Sequence, residues 1–331
     1  MKSMNSRRKF IEKVSKGAAL STIALAAPSS LFSNTMNIKK DKPKIIGIIG
    51  AENSHTVGFG RMFNVDKKFP GFEVKYVWGE TEEFAKKAME KGSIPNMVKD
   101  PKEMMGKIDA LIVDHRRGDQ HLAAAEPYVK AGIPTFIDKP FCFSSKEAKE
   151  FLAMAKKTGT PVTSFSSIAH SYDTFDVRAQ LDEIDGINQV VCYGPLDINS
   201  EYGGVYFYGP HLVEPLVYLF DEKVVSARIN KNVNENKNSS ASLVYENGML
   251  VTLIFTHKKY GWQTFVETDE GVVEMKSRVE KKDSGKNYVD MVEMFKTGVE
   301  PRSHESIVAG IAILEALYNS AISGKWEGVS Y

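Results

Sequence analysis

A lysine that follows a short strand-like segment is the residue in this sequence best suited to chemistry. Lys139 stands in the run Asp138-Lys139-Pro140, directly after Thr135–Ile137. Ligands of parallel α/β sheets bind at the carboxyl ends of the strands, so an amine there can donate to a substrate oxygen and take part in proton transfer. A solvated surface charge is the alternative for a lone lysine.

A turn between a strand and a helix is the second candidate. An apolar run ends at Gly50, where backbone N–H groups at the start of the next helix can bind a phosphate. Of the usual G-x-G-x-x-G pattern only this first glycine is present, since Glu52 and His55 occupy the other two positions. Asn53 and Ser54 can donate hydrogen bonds and His55 can add a positive charge, whereas Glu52 would repel a pyrophosphate unless its carboxylate points away. We expect a dinucleotide to contact this turn.

Charged residues also follow the second and third predicted strands. Glu80 stands where an acidic residue commonly binds the ribose hydroxyls of NAD, and a carboxylate favoured by the helix dipole is the alternative. His115, Arg116 and Arg117 can hold an anionic group, with a solvated loop of internal ion pairs as the alternative. We expect Glu80, His115 and Arg116, together with Asp138 and Lys139, to contact the same dinucleotide.

Alternating strands and helices predict how residues 43–160 position these groups. Strand and helix at this interval predict a parallel, doubly wound sheet with right-handed crossovers, which is a Rossmann-like α/β domain. The predicted strands are Lys44–Gly50, Phe72–Trp78, Ala110–Val113 and Thr135–Ile137, with a fifth starting at Thr160, and the predicted helices are Val57–Lys67, Thr81–Lys91, His121–Ala131 and Lys146–Thr158.

Extended segments dominate residues 161–331, which we assign to a second α+β domain for substrate binding and oligomerisation. They follow one another without intervening helices, and Asn247-Gly248 predicts a two-residue hairpin turn between two of them. We therefore expect a largely antiparallel, open sheet. Its predicted strands are Gln189–Tyr193, Val224–Asn230, Ala241–Tyr245, Met249–Thr256, Trp262–Thr268 and Val272–Met275, and its clearest helices are Gly209–Phe220 and Ser303–Ser323.

The N-terminus predicts export. Arg7-Arg8 opens a twin-arginine signature, followed by an apolar segment, rich in small residues, that is too short for a stable membrane span. We expect residues 1–26 to be a cleaved signal peptide, residues 27–42 to be a tether, and the mature protein to be periplasmic or otherwise exported, without a membrane span. A frayed basic tail is the alternative.

Composition and the metal-binding residue types exclude several functions. The formal net charge of +1 gives no support to nucleic-acid binding. The two cysteines, Cys142 and Cys192, lie far apart without metal-ligand spacing, and the histidines lack zinc spacing. We expect no metal site.

Taken together, these residues resemble the glucose-fructose oxidoreductase/inositol dehydrogenase (Gfo/Idh/MocA) family. The resemblance covers nearly everything from residue 43 to the C-terminus. The family's Glu-Lys-Pro motif, which closes its Rossmann domain, appears here as Asp138-Lys139-Pro140-Phe141. The family's glycine pair and its D-x-G-x-H-x-x-D helix are similar to Gly203-Gly204 and Gly209-Pro210-His211-Leu212-Val213-Glu214.

The resemblance implies two catalytic residues. Lys139 matches the family's catalytic lysine and His211 its catalytic histidine. They imply hydride transfer between a carbinol carbon of a sugar or polyol and a nicotinamide, with His211 relaying the hydroxyl proton and Lys139 polarising the oxygen. The family's aspartate four positions before the histidine is Phe207 here, so nothing at that position orients the imidazole, while Glu214 keeps the later acidic position.

Aromatic and polar residues near these motifs are candidates for binding a carbohydrate, because aromatic faces stack on sugar C–H surfaces. Packing is the alternative for the tyrosines. The candidates are Arg117, His170, Tyr202, Tyr206, Tyr208 and Glu214.

We therefore expect a periplasmic NAD(P)-dependent oxidoreductase that acts on a sugar, polyol or glycoside. In one version NAD or NADP is recycled internally: it oxidises a ring carbon, which acidifies the neighbouring C–H so that a substituent can leave, and it is then reduced back. The resemblance also implies a homo-oligomer. The alternative is a non-catalytic carbohydrate-binding relative that has lost the cofactor site.

Overall fold

Two β-sheets with flanking helices are formed by the described residues of a computed structural model, which are 42–232, 239–257, 261–279 and 283–331. The predicted signal peptide, residues 1–26, lies outside these residues, as does the predicted tether apart from Lys42.

The first sheet contains six parallel strands in the order β3-β2-β1-β4-β5-β6. Residues 110–113 are all buried, as expected for an apolar central strand covered on both faces. The order reverses between β1 and β4, which opens a crevice at their carboxyl ends. The strands are β1 (Lys44–Ile49), β2 (Phe72–Trp78), β3 (Asn96–Met97), β4 (Ala110–Val113), β5 (Thr135–Ile137) and β6 (Val162–Ser164). The predicted doubly wound parallel sheet is confirmed.

Four helices connect these strands, and all but the third begin at a side-chain cap. Asn53 caps the first helix by accepting from the His55 N–H, so this helix begins before the predicted Val57 and continues into a π-helical turn at Arg61–Val65. Thr81 caps the second helix in the same way. The helices are α1 (Ser54–Gly60), α2 (Glu82–Gly92), α3 (His121–Lys130) and α4 (Ser145–Thr158), with short 3-10 helices at Pro101–Met104 and Gly118–Gln120.

The second sheet contains seven strands in the order β12-β11-β7-β10-β9-β8-β13. Every neighbouring pair is antiparallel except β7 and β10, which run parallel, so the predicted largely antiparallel sheet is confirmed. The strands are β7 (Gln189–Pro195), β8 (Val224–Lys231), β9 (Ser239–Tyr245), β10 (Leu250–Thr256), β11 (Gln263–Thr268), β12 (Gly271–Met275) and β13 (Glu327–Gly328). The helices of this half are α5 (Tyr172–Leu181), α6 (Val205–Tyr208), α7 (Pro210–Leu219), α8 (Val289–Thr297) and α9 (His304–Ser323), with a 3-10 helix at Ser284–Tyr288.

The hairpin between β9 and β10 forms, but its turn differs from the predicted two-residue loop. The Tyr245 N–H donates to the Met249 carbonyl at 2.9 Å, which closes a loop of three residues. Gly248 alone adopts a left-handed conformation, with φ +89°, while Asn247 does not. One glycine is therefore sufficient for this turn.

Three helices, α5, the four-residue α6 and α8, were not predicted from the sequence. The apolar residues of α5 form no single stripe, so helical periodicity gives no signal there. In α8, Met291, Met294 and Phe295 are buried in the same apolar cluster as Phe59 and Phe63 of the first sheet's core. A segment late in the chain therefore packs against the first sheet.

One helix of the described residues, α9, is long and apolar enough to cross a membrane by length and composition alone. More than half of its apolar window is buried inside the fold, where it packs on β8 and α4. Ser303 caps its start and Gly324 ends it in a left-handed conformation. These contacts are those of a core helix.

Candidate active site

The turn after β1 has no room for a side chain at its first residue. Gly50 has φ +104°, and a Cβ there would lie 2.5 Å from the backbone of Asp114 and His115. Its N–H donates to the Trp78 carbonyl at 3.0 Å. The glycine therefore lets the carboxyl ends of β1, β2 and β4 meet at one edge of the sheet.

The backbone N–H groups of this turn converge on a carboxylate of the chain itself. Glu80 Oε2 accepts from the Ala51 and Glu52 N–H groups, each at 2.9 Å. Glu80 Oε1 is buried without a hydrogen-bond partner among the described residues. The turn thus binds an anionic group, and in this structure Glu80 supplies it.

The Glu52 side chain points away from those N–H groups. Its Oε1 accepts from the Tyr202 hydroxyl at 3.1 Å. The Arg116 guanidinium lies 3.9 Å from the centre of the Tyr202 ring, at cation–π distance. Glu52, Tyr202 and Arg116 therefore link the turn to the segment before α6, on the side of the second sheet.

A buried polar cluster lies behind the turn. Asn53 Nδ2 donates to Asp114 Oδ1 at 2.9 Å and to Asp138 Oδ2 at 3.2 Å, while His55 Nδ1 lies 3.1 Å from Asp138 Oδ2. Both amide protons of Asn53 are used in this way, so they are not free for a phosphate as the sequence suggested. Ser54 is exposed at the start of α1.

The hydrogen bonds of Thr56 show how charge is shared in this cluster. Its hydroxyl contacts the Gly50 carbonyl at 2.8 Å and Asp114 Oδ2 at 2.5 Å. The Thr56 hydroxyl therefore connects the Asp114 side chain to the turn at Gly50. Burial, and then the charge of Asp138, raise the pKa of Asp114 well above its usual value.

Asp138 carries the negative charge of this pair. Burial favours its neutral form, but the neighbouring His55 and Lys139 together lower the pKa of Asp138 below its usual value. The oxygens and nitrogen of His55, Asp114 and Asp138 also lie within 4.8 Å of one another. The His55–Asp138 contact and the Asn53 amide, which bridges Asp114 and Asp138, hold these side chains at this spacing.

Lys139 follows β5 and is nearly buried, with 6% of its surface exposed. Its Nζ lies 5.1 Å from the centre of the Phe207 ring and 6.0 Å from that of Tyr208. Both aromatic rings belong to α6, so the lysine end of the first sheet faces the helices of the second.

His211, in the first turn of α7, lies close to this lysine. The Tyr208 ring, which Lys139 also contacts, is 5.5 Å from the imidazole. Burial, and then the charge of Lys139, lower the pKa of His211 well below its usual value, so the ring is neutral. Its Nδ1 lies 2.6 Å from Ser166 Oγ, just after β6. A residue from another element therefore orients the imidazole in place of the aspartate missing at Phe207.

A buried ion pair supports Ser166. Glu214 Oε2 accepts from the Ser166 N–H at 2.8 Å and from Arg302 at 2.9 Å. Arg302 also donates to the Ser164 carbonyl at 2.8 Å. Glu214 was expected to contact substrate, but the structure places it beneath Ser166. No sequence pattern pointed to Ser166 or Arg302.

A cavity of about 710 Å³ lies beside His211. Its walls come from α5, α7 and the strands of the second sheet, and they combine aromatic, polar and charged side chains suited to a polyhydroxylated ligand. Its lining includes Thr174, Tyr193, His211, Trp262, Gln263 and Asn287. Trp262 packs edge-on to His211 at 5.9 Å between ring centres.

Two of the expected carbohydrate contacts lie elsewhere, in packed positions. The Tyr206 ring stacks on Phe143 at 4.3 Å, and its hydroxyl donates to the Phe143 carbonyl. His170 is stacked on Phe165 at 4.3 Å and lies 2.6 Å from Asp290. For both, packing accounts for the position. The aromatic residues that do line the cavity, Tyr193 on β7 and Trp262 just before β11, were missed because they lie far from these motifs in the sequence.

The three basic side chains of the loop after β4 lie in three different environments. Arg117 pairs with Asp119 at 2.8 Å, which matches the internal ion pair considered as its alternative. His115 is buried, and burial followed by the nearby His121 lowers the pKa of His115 to about 4, so it adds no charge for an anion. Arg116 alone remains beside the turn, over Tyr202.

These residues fit a dinucleotide at three points. The turn already binds an anion through two N–H groups, Gly50 removes the Cβ that would block close approach, and Arg116 and Lys139 supply positive charge at the same edge. A phosphate at the turn would take the place of the Glu80 carboxylate.

Comparison with known proteins agrees with this architecture. No curated protein matches the sequence. Among solved structures, the chain is similar to myo-inositol dehydrogenase from Lactobacillus casei in complex with NAD(H) and myo-inositol, with TM-score 0.73 and 14% identity over 87% of this chain and 97% of that one. Myo-inositol 2-dehydrogenase from Lactobacillus plantarum gives TM-score 0.72 and 17% identity over 87% and 100%. GenD2 from gentamicin A biosynthesis, in complex with NAD, gives 0.74 and 13% over 93% and 100%.

These likenesses show the fold, since all three identities are low. A family model, described as an oxidoreductase family with an NAD-binding Rossmann fold, matches residues 44–165. That range contains the Gly50 turn, Glu80 and the Asp138-Lys139-Pro140 motif. Residues 44–165, which contain all six strands of the first sheet, therefore match the GFO_IDH_MocA family model.

Proposed function

We propose that this protein is an exported NAD(P)-dependent oxidoreductase that transfers hydride at a carbinol carbon of a sugar, polyol or glycoside. The observation that carries the proposal is the meeting of three features at one crevice: the anion-binding turn at Gly50, Lys139, and the cavity that begins at His211. The structural relatives named for inositol dehydrogenation and NAD binding support this substrate class and NAD or NADP as the cofactor.

The residues of the crevice have three roles: binding the cofactor, binding the carbohydrate and contacting the reacting oxygen. The turn N–H groups and Arg116 hold the phosphates, and Trp262 and Tyr193 offer aromatic faces to the ring of a carbohydrate. Lys139 and His211 face the reacting oxygen, where they hydrogen-bond it and fix its orientation. Bound nicotinamide supplies the hydride acceptor or donor for that carbon.

Mass spectrometry of gently denatured protein, purified from cells in which it folds, tests the cofactor directly. We expect NAD(H) or NADP(H) to be released, or added dinucleotide to raise the melting temperature. Adding the two dinucleotides separately reports which is preferred. A protein that releases neither and is stabilised by neither would refute the proposal.

Export through the twin-arginine route is supported by the Arg7-Arg8 signature alone. Cell fractionation tests it with an Arg7→Lys, Arg8→Lys double variant. We expect the natural sequence to be exported in shortened form and the variant to stay in the cytoplasm. If the natural protein and the variant were found in the same cell fractions, the assignment of a twin-arginine signal peptide would be contradicted.

A second candidate function is favoured by Glu80. Because this carboxylate occupies the N–H groups that a phosphate would use, a carbohydrate-binding protein without cofactor would look the same at this turn. The two candidates differ in the dinucleotide measurement above and in turnover, which only the enzyme would show. Internal recycling of the cofactor belongs to the first candidate, and it predicts product formation without net reduction of added NAD.

A further inference from the structure

The hydroxyl of Ser166 has its acceptor positions occupied. Ser166 Oγ accepts from the Ile168 N–H at 3.1 Å and from the Ala169 N–H at 3.4 Å. A serine oxygen has two lone pairs and one proton. The third contact, to His211 Nδ1 at 2.6 Å, is therefore the one in which Ser166 is the donor.

The imidazole is neutral in this environment. The titratable groups that act on it are Lys139 and His55, which disfavour a positive charge, and Asp138, which favours one. Burial, the largest influence, acts in the same direction as Lys139 and His55, and together they outweigh Asp138 and lower the pKa of His211. A neutral imidazole that accepts at Nδ1 carries its proton on Nε2.

We propose that Ser166 is a positioning residue that holds His211 as its Nε2–H tautomer, so that His211 offers a hydrogen-bond donor to a ligand oxygen in the cavity. Glu214 and Arg302 fix the Ser166 backbone and hence the direction of its hydroxyl. The part of this inference that concerns a substrate oxygen rests on the proposed function, whereas the tautomer itself does not.

The tautomer determines what His211 can do. A nitrogen that already carries a proton has no lone pair in the ring plane, so Nε2 donates to an oxygen and does not take a hydroxyl proton from it. This differs from the proton relay that the sequence resemblance implied for His211. Between a polyol and its ketone, the carbonyl oxygen presents only lone pairs and suits this donor better.

Nitrogen NMR of the full chain labelled with ¹⁵N-histidine tests the proposal. The chain has 7 histidines, so the His211 signals can be assigned by their loss in His211→Gln. From about pH 6 to 8 we expect Nε2 to carry the proton and Nδ1 to show the shift of an unprotonated, hydrogen-bonded nitrogen. A proton on Nδ1, or an imidazolium in this range, would overturn the proposal.

Variants separate positioning from packing. Ser166→Ala removes the donor, and we expect both tautomers to appear, while Ser166→Thr keeps the hydroxyl and restores the Nε2–H form. Ser164→Ala, on the neighbouring strand β6, is the matched control and should leave the His211 spectrum unchanged. An unchanged tautomer in folded Ser166→Ala would contradict the role of Ser166.

Binding of the ketone and the alcohol supplies the second readout. The probes are 2-keto-myo-inositol and myo-inositol. We expect the ketone to bind about tenfold tighter than the alcohol, and we expect this ratio of affinities to fall in Ser166→Ala. Equal affinities would overturn the inference that His211 donates to a substrate oxygen. If the tautomer is as expected but no dinucleotide binds, the oxidoreductase proposal fails and the Ser166 assignment stands. If dinucleotide binds but Nδ1 is protonated, the Ser166 assignment fails and the oxidoreductase proposal stands.

Discussion

The two sides of the crevice treat their polar groups differently. At the edge of the first sheet, the donors of the turn pair within the chain: Glu80 Oε2 accepts from the turn N–H groups, and Asn53 bridges Asp114 and Asp138. On the side of the second sheet, His211 and Trp262 border a cavity. Ligand binding therefore displaces internal hydrogen bonds on the first side and fills existing space on the second.

The two sides therefore differ in how their polar groups are held before a ligand binds. A buried polar group is costly when it is unpaired, so internal partners stabilise the turn until a ligand replaces them. The Ser166–Glu214–Arg302 network instead fixes one side chain without occupying the cavity. We expect changes on the first side to alter affinity for the dinucleotide, and changes on the second to alter stability and substrate orientation.

The largest effect is expected at Lys139, where the two sides meet. Lys139→Ala should lower turnover by about 10²–10⁴-fold, the range for loss of an acid–base group, because it removes the amine at the reacting oxygen. Steady-state kinetics measure this, with carbohydrate binding followed by calorimetry. Lys146→Ala, at an exposed lysine of α4, is the control. Retained turnover in Lys139→Ala would remove the lysine from the chemistry.

Removing the ion pair under the second side should cost stability. Arg302→Ala leaves the buried Glu214 carboxylate without its partner, and we expect the free energy of unfolding to fall by about 3–5 kcal/mol. Denaturant titration measures it. The exposed pair Lys146–Glu150 serves for comparison, since Lys146→Ala should change stability by less than about 1 kcal/mol. Similar losses in both variants would show that burial of the Arg302 pair adds nothing.

Acid should destabilise the first side through His115. Its pKa is about 4 in the fold and about 6.5 in an unfolded chain, so the unfolded state binds the proton more tightly. The contribution to stability is full above about pH 6.5 and is lost as the pH falls towards about 4, by up to about 1.4 kcal/mol per pH unit. His115→Phe should flatten this dependence, whereas His257→Gln, at an exposed histidine, should not.

A smaller effect, on affinity, is expected at Glu80. Glu80→Gln weakens the internal competitor for the turn N–H groups and removes a negative charge, so we expect dinucleotide to bind about tenfold tighter. Isothermal titration calorimetry measures it, with Glu82→Gln on the exposed face of α2 as the control. Weaker binding by Glu80→Gln would favour the ribose contact that the sequence suggested.

Much of the first sheet could be predicted from the sequence. The bounds of β2, β4 and β5 agree with their apolar segments, and Gly50 marked the end of β1. The role of Glu214 and the packing of Tyr206 and His170 could not be predicted, because each depends on a neighbour at a remote position in the chain. Aromatic residues near a motif pack or bind ligand according to which face the fold covers.

The sequence by itself determined the alternation of strands and helices, the glycine turn and the lysine at a strand end, because periodicity and backbone freedom are local properties of the chain. Only the tertiary structure decided which groups meet: Ser166 with His211 across 45 positions, and Glu80 with the turn across 28 and 29. Such partners are selected by sheet order and by the need to pair buried polar groups, neither of which a local pattern records.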